Sequence, residues 1–164
     1  MLFLLLFGAA SFSQTASLAT VTASPGETKA VALNVTGFTG IGSITFNIRF
    51  NPNVMTFIGT TNTAGGVTFY SGVTDSTLNL VWTGYPYVSF PNGKLLDLNF
   101  IYNGMTTSPL NFLGSCEVTQ GVTEIHPAYT NGSVSMAVVP QTATLVGTTA
   151  STGGYVPVEI VYAS

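Results

Sequence analysis

From Ile44 to Phe50 the sequence ITFNIRF places an apolar residue at every second position, with Thr45, Asn47 and Arg49 between them. This two-residue period puts Ile44, Phe46, Ile48 and Phe50 on one face of an extended strand and the polar residues on the other. A slip of one residue would turn both phenylalanines into water, so the pattern specifies its own register. Asn51-Pro52-Asn53 then ends the strand, because proline has no N–H for the ladder and fixes its own φ. Val54, Met55, Phe57 and Ile58 begin another apolar strand directly afterwards, so Ile41–Gly59 forms the centre of the pattern.

The rest of the chain follows the same grammar. Leu18–Ala23 reads as a first strand, Ser24-Pro25-Gly26-Glu27 as a turn, and Val31, Leu33 and Val35 as the inward face of a second strand. A glycine-punctuated connection, Gly37–Gly42, leads into the central strand. Further strands are predicted at Val67–Ser71, at Thr77–Thr83 with Leu78, Leu80 and Trp82 on one face, and at Gly93–Tyr102. Short ones follow at Leu110–Phe112, Cys116–Thr119 and Ser133–Val138. No window holds a helical period. Roughly eight to ten short strands with turn signals between them predict an all-β, antiparallel sandwich or jelly roll. The 164 residues suffice for one domain with a substantial core.

Charge is scarce, at 5% of residues, and Lys29, Arg49 and Lys94 are the only lysines and arginines. With a net charge of −3 there is no basic footprint, which excludes nucleic acid as a partner. A weakly charged surface rich in Thr, Ser and Asn suits a secreted, glycosylated or polymerising protein. Residues 1–13, MLFLLLFGAASFS, read as an export signal or an apolar N-terminal segment, since the apolar run is too short to span a bilayer. Cys116 is the single cysteine, so no intrachain disulfide can form. Its neighbours Ser115 and Glu117 offer no cationic activation, and it reads as a small buried hydrophobe.

No catalytic constellation assembles from the sequence. His126 is the only histidine, placed in a loop by Glu124-Ile125-His126-Pro127, and no nucleophile motif accompanies it. Glu27, Asp75, Asp97, Glu117, Glu124 and Glu159 are scattered singly, with no D-x-D loop for calcium. Gly65-Gly66 opens a strand rather than a phosphate-binding helix. The expectation is a non-enzyme without metal or cofactor. Tyr85 and Tyr87, in the loop-like TGYPYVSF, are candidates for stacking against sugar rings, whereas Trp82 is in phase with Leu78 and Leu80 and belongs to the core. Asn34 and Asn131 head N-glycosylation sequons, and Asp75-Ser76-Thr77 resembles a short bacterial O-glycosylation motif that would modify Ser76 or Thr77; all three also read as ordinary turn residues.

The segments SPGETKAVALNVTGFTGIGSITFNIRFNPNVMTFIG, LNLVWTG, GKLLDLNFIYNG and NGSVSM, in that order, resemble the cohesin-like modules of bacterial extracellular proteins, relatives of some carbohydrate-binding modules. The resemblance covers residues 18 to 136 and places a cohesin-like sandwich at 18–138. It implies a non-catalytic module that binds a dockerin through one sheet face, and it assigns no individual contact residue.

Residues 139–164 add a further strand segment. Val146, Val156, Val158 and Ile160 lie 125 residues after Val21, Val31, Leu33 and Val35, so the tail repeats the first two strands. Either the chain stops inside a second module, or the tail is complete and its strands lack a sheet. In the latter case Val156, Val158, Ile160 and Tyr162 form the face of an orphan donor strand that enters the next copy, giving an open head-to-tail filament. The leading expectation is therefore a secreted, cell-surface assembly module that polymerises with itself. A scaffold module for a dockerin-like protein, or a carbohydrate-binding module, is the alternative.

Overall fold

A computed structural model describes residues 13–138 and the backbones of two short tail strands, Ala143–Val146 and Glu159–Tyr162. The central alternation becomes β4, defined below, and its inward residues Ile44, Phe46 and Ile48 are fully buried. The Asn-Pro stop works through the side chain of Asn51, whose Oδ1 accepts from Asn53 N at 3.0 Å while its carbonyl accepts from Val54 N and Met55 N.

In chain order the strands of the described domain are β1 (Thr15–Leu18), β2 (Thr20–Ala23), β3 (Thr28–Thr36), β4 (Ile41–Arg49), β5 (Met55–Thr61), β6 (Tyr70–Thr74) and β7 (Thr77–Val88). They continue with β8 (Gly93–Tyr102), β9 (Ser108–Phe112), β10 (Glu117–Gln120), β11 (Thr123–Ile125), β12 (Ala128–Thr130) and β13 (Gly132–Met136). One sheet has the order β12-β1-β3-β8-β5. In the other, β4 is flanked by β7 and then β6 on one side; on its other side β10 pairs with Ile41–Thr45 and β9 with Ile48 and Arg49. Beyond β9 lie β13 and β2, and beyond β10 lies β11. This is a β-sandwich, as the strand pattern predicts.

The core is the space between the sheets. Phe46 meets Phe112 edge-on at 5.5 Å between ring centres, and Trp82 meets Phe90 the same way at 5.3 Å. Adjacent Leu95 and Leu96 both point inward because β8 carries an extra residue where Leu33 pairs Leu96 but Asn34 pairs Lys94.

Several expectations need correction. Leu18–Ala23 is not one strand: the chain leaves the first sheet after Leu18 and joins the second at Thr20, with Ala19 N still bonded to Ala32 O at 2.9 Å. Gly132 permits this crossing, since a Cβ there would collide with the carbonyls of Ala19 and Leu18. Pairing is not antiparallel throughout, because β1–β12 and β2–β13 are parallel. Ala64–Gly66 is a single 3-10 turn with positive φ at Gly65 and Gly66, so that pair does not open a strand; the strand begins later, at Tyr70. Thr123–Ile125 is a strand rather than a loop. The tail strands β14 (Ala143–Val146) and β15 (Glu159–Tyr162) pair antiparallel with each other in a separate two-stranded sheet, so β15 is not an orphan. Val156 and Val158 lie outside the described residues.

Candidate functional site

Because paired residues in adjacent strands share a face, the ladder registers map the outward side of the larger sheet. Tyr70, Val81, Thr45 and Glu117 form one row across β6, β7, β4 and β10. Gly72, Asn79 and Asn47 form the next, and Thr74, Thr77 and Arg49 the one after. Tyr70 is 79% exposed and Val81 38%, and Arg49 is exposed with no ion-pair partner among the described residues. Tyr70 and Arg49 lie two strands apart across the sheet and four residues apart along it, about 16 Å in all.

A neutral latch ties this face together around Asn47. Asn47 is only 9% exposed although it points outward. It accepts a hydrogen bond from Asn79 Nδ2 and donates its own Nδ2 to Ser115 O at 2.8 Å and Ser115 Oγ at 2.9 Å. Its backbone N–H donates to Cys116 Sγ at 3.2 Å, and that thiol donates back to Asn47 O at 3.4 Å. Burial pushes the Cys116 thiol pKa up, and the residue is half-buried in a structural role. Alternation correctly puts Asn47 among the polar residues; its burial comes from Ser115, far along the chain.

Tyr85 and Tyr87 sit in the last part of β7, not in a loop. Between the pairs Ser43–Thr83 and Ile41–Val88, residues Gly84–Tyr87 oppose Gly42 alone, so β7 bulges and lifts both rings off the sheet. Tyr85 is 89% exposed, Tyr87 46%, and the rings meet edge-to-face at 5.8 Å. Trp82, 5% exposed, is core as its phase implies. Asn34 is half-buried on the outward side of β3, opposite Ser17 and Lys94. Asn131 is exposed, and its Oδ1 accepts from Phe112 N at 2.9 Å. Ser76 lies at the β6–β7 hairpin tip beside Asp75, whose φ is +54°, and Thr77 opens β7.

The titratable side chains among the described residues stay scattered. Among the described residues no three His, Cys, Asp or Glu side chains lie close enough to hold a metal. His126 is 84% exposed, with Nδ1 3.7 Å from Glu124 Oε1. No helix among the described residues is long and apolar enough to cross a membrane.

The cohesin domain family matches residues 14–136, three quarters of the sequence and the whole of the sandwich. The chain belongs to the cohesin family. No curated protein matches it. Solved cohesins share its fold at low identity. The sixth cohesin of scaffoldin B from Acetivibrio cellulolyticus, solved in complex with a Cel5 dockerin, has TM-score 0.68 at 20% identity over 76% of this chain and 99% of that one. A non-cellulosomal cohesin from Archaeoglobus fulgidus gives 0.67 at 16% identity, over 77% and 92%. A cohesin in complex with a dockerin from Clostridium thermocellum gives 0.66 at 16% identity, over 76% and 99%. In the present cohesin, the family match leaves the β14–β15 tail outside the domain.

Proposed function

We propose that this cohesin is a non-catalytic, extracellular binding module that holds a dockerin-like protein against the outward face of β6, β7, β4 and β10. The observation that carries the reading is the family match over residues 14–136, combined with a sheet face whose exposed side chains include Tyr70, Val81 and an Arg49 with no ion-pair partner among the described residues. Tyrosine and arginine are the residue types that most often dominate protein–protein affinity, and an internally latched sheet loses little freedom on binding. Two of the similar cohesins were solved with dockerins bound. Head-to-tail strand addition lacks a comparable support, since the main chain of β15 already pairs with β14.

Calorimetric titration of the chain with individually purified dockerin modules from the same genome tests the reading. Saturable one-to-one binding to at least one of them is expected. Absence of binding to all of them, together with concentration-dependent polymers of the chain alone, would replace this reading with self-assembly.

A further inference from the structure

A second site lies at the end of the sandwich where the bulge of β7 meets the β3–β4 connection. An open recess of about 390 Å³ is lined there by Gln14, Thr36, Gly37, Thr39, Asn92 and Gln120. Every one of these side chains is uncharged. Two of the amides are oriented by the backbone: Asn92 Oδ1 accepts from Gly37 N at 2.9 Å, and Gln120 Nε2 donates to Thr39 O at 2.9 Å. Each amide therefore keeps its other half for a ligand, a donor at Asn92 Nδ2 and an acceptor at Gln120 Oε1. The hydroxyls of Thr36 and Thr39 can do both.

Neither exposed tyrosine lines this recess, but Tyr87 packs one residue away from its lining. The ring of Tyr87 lies over Gly121, the neighbour of Gln120, where an added Cβ would sit 3.5 Å from the ring. Gly40 ties the same corner together, donating to Ser89 Oγ at 3.0 Å and accepting from Gly121 N at 2.8 Å. Tyr85, almost wholly exposed, stands edge-to-face against Tyr87. An exposed ring costs little to keep in water singly, but two held side by side on a bulge, next to a fixed amide pair, form a built surface. The recess volume falls at the lower end of the range for small-ligand sites.

We infer that this corner binds a neutral oligosaccharide, with Tyr85 and Tyr87 stacking on pyranose faces and Asn92, Gln120 and the threonine hydroxyls bonding ring hydroxyls. A sugar chain matches both halves of the site: its axial C–H faces suit aromatic rings, and its hydroxyls each donate and accept. The absence of charge on the lining favours a neutral sugar over an acidic one, so binding should change little with salt. The site lies at the Val88 end of β7 and the Gln120 end of β10, beyond the rows that carry Tyr70, Val81 and Arg49, and does not depend on that reading.

Saturation-transfer NMR of the chain with cellohexaose, xylohexaose, mannohexaose and chitohexaose, each separately, tests it. Transfer to at least one of the four is expected, with that signal lost in the double variant Tyr85→Ala, Tyr87→Ala and reduced several-fold in Gln120→Ala. Both tyrosines are exposed, so unchanged circular dichroism of the double variant confirms its fold. Val81→Arg, on the sheet face, should leave the sugar signal intact. No transfer to any of the four, an undiminished signal without the two tyrosines, or loss of signal in Val81→Arg would each overturn the inference.

Discussion

On the outward face of the five-stranded sheet, polar groups are spent on one another. Asp97 is 5% exposed and accepts from Lys94 Nζ at 2.9 Å and Asn62 Nδ2 at 2.7 Å. Asn99 donates to Thr61 and Asn103 to Thr56, and the residues between are small: Ser17, Ala30 and Ala32. On the outward face of the larger sheet the buried polar residue is the neutral Asn47, whose latch consumes amides and a thiol but no charge. That difference leaves Arg49, Tyr70 and Val81 exposed and without a polar lock among the described residues. A charged lock closes one face, while an uncharged lock leaves the other able to offer its cation and aromatic ring to a partner.

Removing each lock should break the comparison in measurable ways. Asn47→Ala removes three hydrogen bonds, one from half-buried Asn79 and two to exposed Ser115, and at about 1 kcal/mol each urea unfolding should show a loss of about 3 kcal/mol. Asp97→Ala should cost less, about 2 kcal/mol, because half-exposed Lys94 can return to water. Dockerin affinity should survive Asp97→Ala, since that face makes no proposed contact; a tenfold loss would erase the asymmetry.

Acid sharpens it further. Burial works against the Asp97 charge, but the hydrogen bonds from Asn62 and Lys94 outweigh it and hold the carboxyl below its ordinary value of 3.8. A depressed folded value means stability that is present above 3.8 and lost as pH falls through the lower folded value. The stability gap between the native chain and Asp97→Asn should therefore narrow below about pH 4 in acid titrations. The smallest effect belongs to Glu27. The backbone N–H of Ser24, and then Lys29, hold its pKa down, but the ion pair lies at the surface with both side chains partly in water, so Glu27→Gln should leave the thermal midpoint unchanged within error.

Much of this architecture is legible in the sequence. The alternation in ITFNIRF fixes which side of β4 is core, and the Asn51 turn needs only its own side chain. What escapes are features set by remote partners. LATVTA reads as one strand because the switch at Ala19 depends on β12 and β13, over a hundred residues later. The rise of Tyr85 and Tyr87 depends on Gly42, which opposes four residues of β7 because Gly121 leaves no room for a side chain there. Asn47 and Asp97 look like ordinary surface residues until Ser115 and Asn62 cover them. The constant offset of 125 between Val21, Val31, Leu33 and Val35 and four tail residues does not say with which strand a tail strand pairs.

The proposed function places the partner on one outward face and not on the other. It is tested most directly by placing the same arginine at the middle of each: Val81→Arg on the larger sheet and Ala30→Arg on the five-stranded one, both at exposed positions. Titrated against the dockerin module that binds the native chain, Val81→Arg should lose at least tenfold in affinity, about 1.4 kcal/mol, and Ala30→Arg should bind as the native chain does. Loss in Ala30→Arg with full binding by Val81→Arg would contradict the account and move the partner to the opposite face.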